Sequence, residues 1–314
     1  MRRTLGDQHQ ERWPANARAG KASAGSSLIT FGLAALGLAS SPALAAPGDL
    51  YAAGENGDIL RFTPGGLESV FATLPGPVVG LAFDRWGDLY ASGGDTGSIY
   101  EFAPDGTRTI FASGANAGEL AFDRAGNLFA TAGLGAGGAI LKFAADGSYS
   151  IFDSNFHAAS GLAFDSADNL FVEEQIGLPF YIYEYDSSGV RSRFSSVHLG
   201  VALSGALAFD SSGNLYATGG GGSFFKLSRD GTGTTFSSTL AEPAGLAFDG
   251  RGTLFAADTV AGAIYEFASD GTGITFATGL SSPTALAFQP AVPEPSWTAL
   301  LALGGGLVVG RRKN

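Results

Sequence analysis

The stretch Gly245–Gly279, GLAFDGRGTLFAADTVAGAIYEFASDGTGITFATG, decides the fold because most of the chain between Pro47 and Pro290 repeats it with variations. Its Leu-Ala-Phe triplet recurs, and the final Phe falls at Phe83, Phe122, Phe164, Phe209, Phe248 and Phe288. The spacings are 39, 42, 45, 39 and 40 residues. A period near forty residues with several short strands per unit is typical of the blades of a β-propeller.

Each unit predicts four strands, because short apolar or alternating runs are separated by turn residues. In the quoted copy the runs are Leu246–Phe248, Leu254–Ala256, Ala263–Phe267 and Ile274–Ala277. Asp249–Gly252 predicts a tight turn in which the Asp accepts amide hydrogen bonds and the Gly takes a positive φ. Asp270-Gly271 predicts a two-residue hairpin between the last two strands. The unit is therefore expected to be a four-stranded antiparallel meander.

The two ends of the repeat region complement each other. The first unit begins at Asp49-Leu50-Tyr51 without a Leu-Ala-Phe strand, whereas the last, Thr284–Phe288, is such a strand with none after it. We predict an all-β, six-bladed β-propeller of four-stranded antiparallel blades, closed by pairing of Ala285–Phe288 with Asp49–Ala52. Closure leaves only short, protected strand edges.

The repeat carries a resemblance to known families. Its pattern Gly-Leu-Ala-Phe-Asp-x-x-Gly-x-Leu-Tyr-Ala, followed by Ile-Tyr-x-Phe and Asp-Gly-Thr, resembles the NHL-type repeat. More distantly it is similar to the gluconolactonase and senescence-marker propellers and to the streptogramin-lyase group. The resemblance covers about 240 residues. It implies an architecture more than an activity, because folds of this kind host many functions.

Charge and cysteine content exclude several classes of function. The chain has 18 Lys and Arg against 29 Asp and Glu, a formal net charge of −11, and residues 47–290 alone hold 10 against 26. A folded region of net charge −16 is expected to repel nucleic acid and anionic membranes, although solubility alone also accounts for that charge. The absence of cysteine excludes disulfides, thiolate chemistry and cysteine metal sites.

Residues 1–46 are predicted to be a signal peptide. Met1–Ser26 is polar and basic, Ser27–Ala39 is apolar, and Ser41–Ala46 offers small residues for signal peptidase cleavage after Ala45 or Ala46. The apolar run is too short to span a bilayer comfortably. We therefore expect export, with a start codon downstream of Met1 as an open alternative because the basic region is long.

Residues 291–314 are predicted to be a second processing signal. Pro293-Glu294-Pro295 is followed by the apolar Trp297–Gly310 and by Arg311-Arg312-Lys313. This order resembles the PEP-CTERM sorting signal of Gram-negative bacteria. The resemblance implies recognition by an exosortase, transient insertion of the apolar segment in the inner membrane with the basic end in the cytoplasm, and delivery to the cell surface or extracellular matrix. A permanent transmembrane helix is the alternative.

Candidate binding residues cluster where the loops that lead into blades are expected to meet the mouth of the central channel. Outside the signal peptide the chain has only two histidines, His157 and His198, each just before a Leu-Ala-Phe strand and neither with an evident partner. The fourth unit departs most from the rest, with a long connection at Val172–Phe180. Acidic residues expected on the same face are Glu119, Glu173, Glu174, Asp95 and Asp258.

No catalytic residue, metal or cofactor is predicted. The resemblance to lactonases implies a divalent cation on the channel axis, held by Glu, Asn and Asp just before the innermost strands. Here the aligned positions are Gly80, Glu119, Gly161, Ala206, Gly245 and Ala285. One carboxylate is too few, because such a site needs several converging oxygen ligands.

Two functions of different class follow. The first is a non-catalytic exported propeller that binds an exopolysaccharide or a surface protein in the extracellular matrix. The alternative is a hydrolase or lyase of the lactonase or streptogramin-lyase kind that uses the channel mouth. Convergence of the histidines with Glu173 and Glu174 would favour the enzyme.

Overall fold

The computed structural model describes residues 48–94, 96–134, 137–175, 180–195 and 205–291. These residues form 24 strands in six four-stranded antiparallel sheets, and they contain no helix. The predicted all-β, six-bladed propeller is therefore confirmed. No helix within these ranges is long and apolar enough to cross a membrane. The predicted signal peptide and sorting tail, including Pro293, Glu294, Pro295, Arg311 and Arg312, lie outside the described residues.

The blades follow the chain. Blade 1 comprises β24 (Pro283–Phe288), β1 (Leu50–Gly54), β2 (Asp58–Phe62) and β3 (Glu68–Thr73). Blade 2 comprises β4 (Val78–Phe83), β5 (Leu89–Gly93), β6 (Ser98–Phe102) and β7 (Arg108–Ala112), and blade 3 comprises β8 (Ala117–Phe122), β9 (Leu128–Leu134), β10 (Gly137–Phe143) and β11 (Tyr149–Phe156). Blade 4 comprises β12 (Ala159–Phe164), β13 (Leu170–Gln175), β14 (Phe180–Tyr185) and β15 (Arg191–Ser195). Blade 5 comprises β16 (Leu207–Phe209), β17 (Leu215–Thr218), β18 (Phe224–Leu227) and β19 (Gly233–Ser237), and blade 6 comprises β20 (Pro243–Phe248), β21 (Leu254–Asp258), β22 (Ala263–Phe267) and β23 (Gly273–Thr278).

The ring has two distinct ends. The strands β24, β4, β8, β12, β16 and β20 contact one another in turn and return to β24, so the first strand of each blade is innermost. Because the strands are antiparallel, all Asp-x-x-Gly and Asp-Gly turns lie at one end, here called the turn face. The connections from second to third strands and from one blade to the next lie at the other end, here called the mouth face.

The predicted closure is confirmed, with Leu50–Ala53 rather than Asp49–Ala52 as the segment that pairs with Ala285–Phe288. Leu50 pairs with Phe288 and Ala53 with Ala285 in an antiparallel ladder. Beyond the ladder, the Gly48 amide donates to the Gln289 carbonyl at 3.0 Å and the Gln289 amide donates to the Asp49 carbonyl at 2.9 Å. The first and last described segments of the chain therefore complete one sheet.

The turns between the first and second strands form as predicted. In Asp84–Gly87 the Oδ1 atom of Asp84 accepts the amides of Trp86 and Asp88, each at 2.9 Å, and Gly87 has φ +89°. An aspartate carboxylate can accept both amides, and glycine reaches this φ without a steric cost.

The prediction of a two-residue hairpin at Asp-Gly is wrong. The amide of Gly106 donates to the Ala103 carbonyl at 2.8 Å, and the Ala103 amide donates to the Thr107 carbonyl at 2.9 Å. These bonds enclose a loop of three residues, 104–106. Asp105 accepts the Thr107 amide through its side chain at 2.8 Å, and Gly106, with φ +84°, takes the left-handed position. A two-residue type I′ turn would require a positive φ at both central residues, so the side-chain bond favours the longer loop.

Aromatic triads join neighbouring blades. Tyr51 on β1 lies edge-to-face against Phe71 on β3 of its own blade at 5.1 Å and against Phe83 on β4 of the next blade at 5.0 Å. The same arrangement occurs at the other five junctions in Tyr90/Phe111/Phe122, Phe129/Phe152/Phe164, Phe171/Phe194/Phe209, Tyr216/Phe236/Phe248 and Phe255/Phe276/Phe288. The core therefore lies between blades.

Deletion of residues 284–290 is expected to lower the melting temperature by about 10 °C or more, because it removes the closing inner strand with Leu286 and Phe288. Loss of one buried Leu or Phe side chain costs about 2–5 kcal/mol, and 1 kcal/mol shifts the melting temperature of a domain this size by about 2–4 °C. Circular dichroism measures the transition. Deletion of residues 292–314 is the control and leaves it unchanged, whereas equal melting of the two truncations would contradict the closure.

Candidate functional site

A hydroxyl near the mouth face supports the inner strand in three blades. The fourth residue of the second strand is Ser92, Thr131 or Thr218 in blades 2, 3 and 5. These hydroxyl oxygens accept the backbone amides of Gly80 at 2.9 Å, Glu119 at 2.9 Å and Ala206 at 2.8 Å. In blades 2 and 3 this amide lies where the inner strand has a bulge, so the hydroxyl satisfies a donor that the irregular ladder leaves free.

Glu173 takes this position in blade 4. Glu173 is completely buried, and neither of its carboxylate oxygens has a hydrogen-bond partner within the described ranges. The buried hydroxyl of Ser160 on β12 also lacks a partner there. Desolvation raises the pKa of Glu173 from 4.5 to about 8, because burial disfavours the charged form.

Two glycines make room for the glutamate. A Cβ atom added at Gly205 would overlap the Oε2 atom of Glu173 and lie 2.6 Å from the Oγ atom of Ser160. A Cβ atom at Gly161 would lie 3.3 Å from the same Glu173 oxygen. Glu173 therefore fills the seam between blades 4 and 5, where any side chain at Gly205 would collide with it.

Glu174 is held by an ion pair and a backbone amide. Its Oε2 atom lies 3.2 Å from Nη2 of Arg191, and its Oε1 atom accepts the amide of His157 at 3.0 Å. The Arg191 guanidinium lies 3.8 Å from the ring centroid of Tyr183 and 4.3 Å from that of Phe156. Because Phe156 belongs to blade 3 and Arg191 to blade 4, this cluster fastens the two blades together.

His157 is the exposed member of the cluster. Its side chain is 73% exposed, and its Nδ1 atom lies 3.5 Å from Oε1 of Glu174. It borders an open trough of about 290 Å³ on the mouth face, lined otherwise by Ala132, Gly133, Gly137, Gly138, Ala158 and Ala159. A carboxylate beside one ring nitrogen orients the imidazole and leaves the other nitrogen for a ligand.

The other candidate residues are placed differently. Asp258 is structural, since its carboxylate accepts the amides of Ala241 at 2.6 Å, Glu242 at 3.2 Å and Ala261 at 3.0 Å. Glu119 is only partly covered, but it lies within the dense ring of inner strands, and desolvation raises its pKa to about 8. Asp95 and His198 lie outside the described residues.

The donor set does not fit the axial cation that the lactonase resemblance implies. Glu119 is the single carboxylate at the aligned positions before the inner strands. In the described part of the chain no group of three or more His, Cys, Asp or Glu side chains is placed to hold a metal ion. A hard divalent cation requires about six or more oxygen ligands, so no step is assigned to one here.

The sequence placed His157 and Glu174 on the same face but did not indicate their contact, their partner Arg191 or the position of Ser160 near Glu173. His157 and Glu174 are 17 residues apart, and only the register of β12 on β13 brings them together. One signal was present in the sequence. Aligning the second strands shows Glu173 where two other blades have threonine, a substitution that places an acid in a buried position.

Comparison with solved structures shows the fold. The structure matches a chain from a nidogen/laminin complex with a TM-score of 0.67 and 19% identity, covering 77% of this chain and 99% of that one. It matches a gluconolactonase from Xanthomonas campestris with a TM-score of 0.60 and 15% identity, covering 77% and 88%. It also matches virginiamycin B lyase from Staphylococcus aureus with a TM-score of 0.54 and 16% identity, covering 66% and 73%.

These similarities support the fold of NHL-like and gluconolactonase-like six-bladed propellers that the repeat suggested. No protein-family model matches the chain. No curated protein matches it either. At such identities the neighbours include proteins that bind partners and proteins that catalyse reactions, so the choice of function rests on the site.

The two carboxyls with raised pKa predict an unusual pH profile. Because the pKa of Glu173 and Glu119 is about 8 in the folded protein and 4.5 ordinarily, the folded state retains protons that the unfolded chain has released. Stability is therefore expected to fall as the pH rises from about 4.5 to about 8. Glu173→Gln is neutral at every pH and is expected to flatten this decline in melting experiments.

Glu68→Gln, on the exposed outer strand β3, is the control and should leave the profile unchanged. Parallel profiles of wild type and Glu173→Gln would contradict the assignment of the decline to this residue.

Proposed function

We propose that this chain is an exported propeller, sorted by an exosortase, that acts as a non-catalytic binding protein at the cell surface or in the extracellular polysaccharide matrix. The main support is that most polar groups of the candidate site form ion pairs or hydrogen bonds within the fold. Glu174 is paired with Arg191 and with the His157 amide, and Asp258 accepts three backbone amides. The described part of the mouth face also carries an open trough bordered by the exposed His157.

The trough suits an extended polymer. Its glycine and alanine lining leaves the backbone close to the surface, and it is open to solvent along one side. His157 supplies a hydrogen-bonding group at its edge, held by Glu174. A polysaccharide or a peptide segment lying along the trough would contact backbone groups and His157 together, which is how a shallow site gains specificity from few polar groups.

The site is tested by filling the trough. A Cβ atom added at Gly133 would meet no described residue within 4 Å, so we expect Gly133→Leu to fill the trough while the fold is kept. The variant is expected to lose association with the matrix of the native host, measured by immunoblot of washed matrix and medium. Gly250→Leu is the matched control, because Gly250 also faces open space but lies on the turn face. Wild-type retention of Gly133→Leu would contradict the proposed site.

The tail from Val292 is expected to be removed by the sorting enzyme. Pro293 and Pro295 cannot donate to a strand ladder, and the following segment is apolar up to Arg311. Mass spectrometry of the protein from its native host should lack Arg311–Asn314. Finding these residues on most mature molecules would support a permanent anchor instead.

A hydrolase or lyase is the second candidate, and two observations favour it. Glu173 and Glu119 have pKa values raised to about 8, and His157 is oriented by Glu174, whereas perturbed ionisable groups are concentrated at functional sites. A gluconolactonase and a virginiamycin B lyase share the fold.

For the binding protein we expect no turnover above background on a panel of lactones and streptogramins, and no change of melting temperature on metal chelation. Turnover that disappears in His157→Ala or His198→Ala while the fold persists would establish the enzyme. The two single variants, His157→Ala and Gly133→Leu, are each measured for matrix binding and for turnover. Because the two measurements are independent, they distinguish a binding protein from an enzyme.

A further inference from the structure

A stacked tryptophan and arginine form an exposed pair on the turn face, opposite the trough. Trp86 is 56% exposed. The Arg85 guanidinium lies 4.2 Å from the centroid of the Trp86 ring, within cation–π range. Both residues are the central residues of the turn Asp84–Gly87 between β4 and β5. The pair is therefore fixed by a tight turn on a rigid blade.

The turn does not require a tryptophan. The equivalent residue is Ala125, Ala167, Ser212 or Arg251 in the other complete blades, and those turns close with the same Asp-to-amide bonds. The indole packs against no other aromatic ring among the described residues. The indole is therefore exposed without a role in closing the turn, and with the stacked Arg85 it places an aromatic surface and a cation at one point.

Arg85 is a free donor in an acidic domain. Its guanidinium forms no hydrogen bond or ion pair with any described residue, whereas Arg61, Arg191 and Arg251 each pair with a carboxylate. It extends over the turn of blade 3, where a Cβ atom at Gly126 would lie 3.9 Å from it. The planar guanidinium stacks over one face of the indole, so its N–H donors lie along the rim of the ring and the opposite face is the one left for a ligand.

The chemistry of the pair selects one class of partner. A flat aromatic face beside a planar donor group complements a pyranose ring, which has a C–H face and adjacent hydroxyl oxygens. The equivalent inner turns of blades 3 to 6 carry small or polar residues, so these turns add little to the contiguous apolar area that a protein partner would cover. Net charge of −16 on residues 47–290 disfavours a polyanion.

We propose that Trp86 and Arg85 bind a neutral hexopyranose polymer on the turn face. This inference deepens the proposed function by naming a ligand class, and it adds a second surface. With the trough on the mouth face, one propeller could then contact polymer at both ends of its ring and bridge two strands of a matrix.

Tryptophan fluorescence tests the proposal directly. The chain has three tryptophans, Trp13, Trp86 and Trp297, so the full chain with Trp13→Phe and Trp297→Phe reports on Trp86 alone. A panel of neutral glucose and mannose hexasaccharides is titrated, with hexagalacturonate as the anionic comparison. We expect saturable change of the emission with at least one neutral hexasaccharide and weaker binding of hexagalacturonate.

Variants locate the site. In calorimetry, Trp86→Ala and Arg85→Ala are expected to weaken binding of that hexasaccharide about tenfold or more, since truncation of a central aromatic or arginine contact typically costs at least that much. Arg251→Ala is the matched control, because it removes an exposed arginine from the equivalent turn of blade 6 and should leave binding unchanged.

The experiments distinguish a failure of the turn-face proposal from a failure of the proposed binding site in the trough. No response to any neutral hexasaccharide, tighter binding of hexagalacturonate, or unchanged binding in Trp86→Ala would overturn the turn-face proposal. Gly133→Leu measures the trough independently, so loss of matrix retention there with a silent Trp86 would leave the proposed function standing without this second surface.

Discussion

Edge-to-face contacts between aromatic rings hold one blade to the next. Each junction places a Tyr or Phe of a second strand between the outer-strand Phe of its own blade and the Leu-Ala-Phe phenylalanine of the next, with centroids 4.9–5.4 Å apart. Such pairs contribute about 0.5–1.5 kcal/mol beyond the area that they bury. This contact recurs at all six junctions, so it contributes to the common angle and spacing of the blades.

The sequence predicted what is local and repeated. The period, the Leu-Ala-Phe strands and the Asp-x-x-Gly turns follow from residues close in the chain, and closure followed because one end lacked a strand that the other end supplied. The length of the Asp-Gly loop was missed because the Asp105 side-chain bond to Thr107 competes with the shorter turn. The contacts of the candidate site were harder to predict from the sequence. Contact between His157 and Glu174, and the fit of Glu173 against Gly205, depend on strand register and on the neighbouring blade.

Blade 4 shows how a repeat protein can acquire a site without changing its fold. Two adjacent acids lie near the end of β13, where blade 6 has one acid, Asp258, at the second position and the other four blades have glycine or alanine there. One of them, Glu174, has Arg191 and the His157 amide as partners, while the other, Glu173, is buried without a partner among the residues that the structure describes. The first substitution is compensated locally by charge. The second depends on Gly205 and Gly161 in the surrounding strands. Departure from the repeat is therefore concentrated in one sector of the ring, beside the trough.

The shared blade sets the order in which the molecule can be completed. Strand β1 is made first by the ribosome, yet its inner neighbour β24 is the last strand to emerge, more than two hundred residues later. Until then, β1 to β3 form a sheet with an open inner edge, and none of the five finished blades can hold the ring shut. Loop closure over so long a separation is entropically costly and slow. The nascent chain is thus an open arc until β24 has been made, and it becomes a ring only when that strand is free to pair with β1.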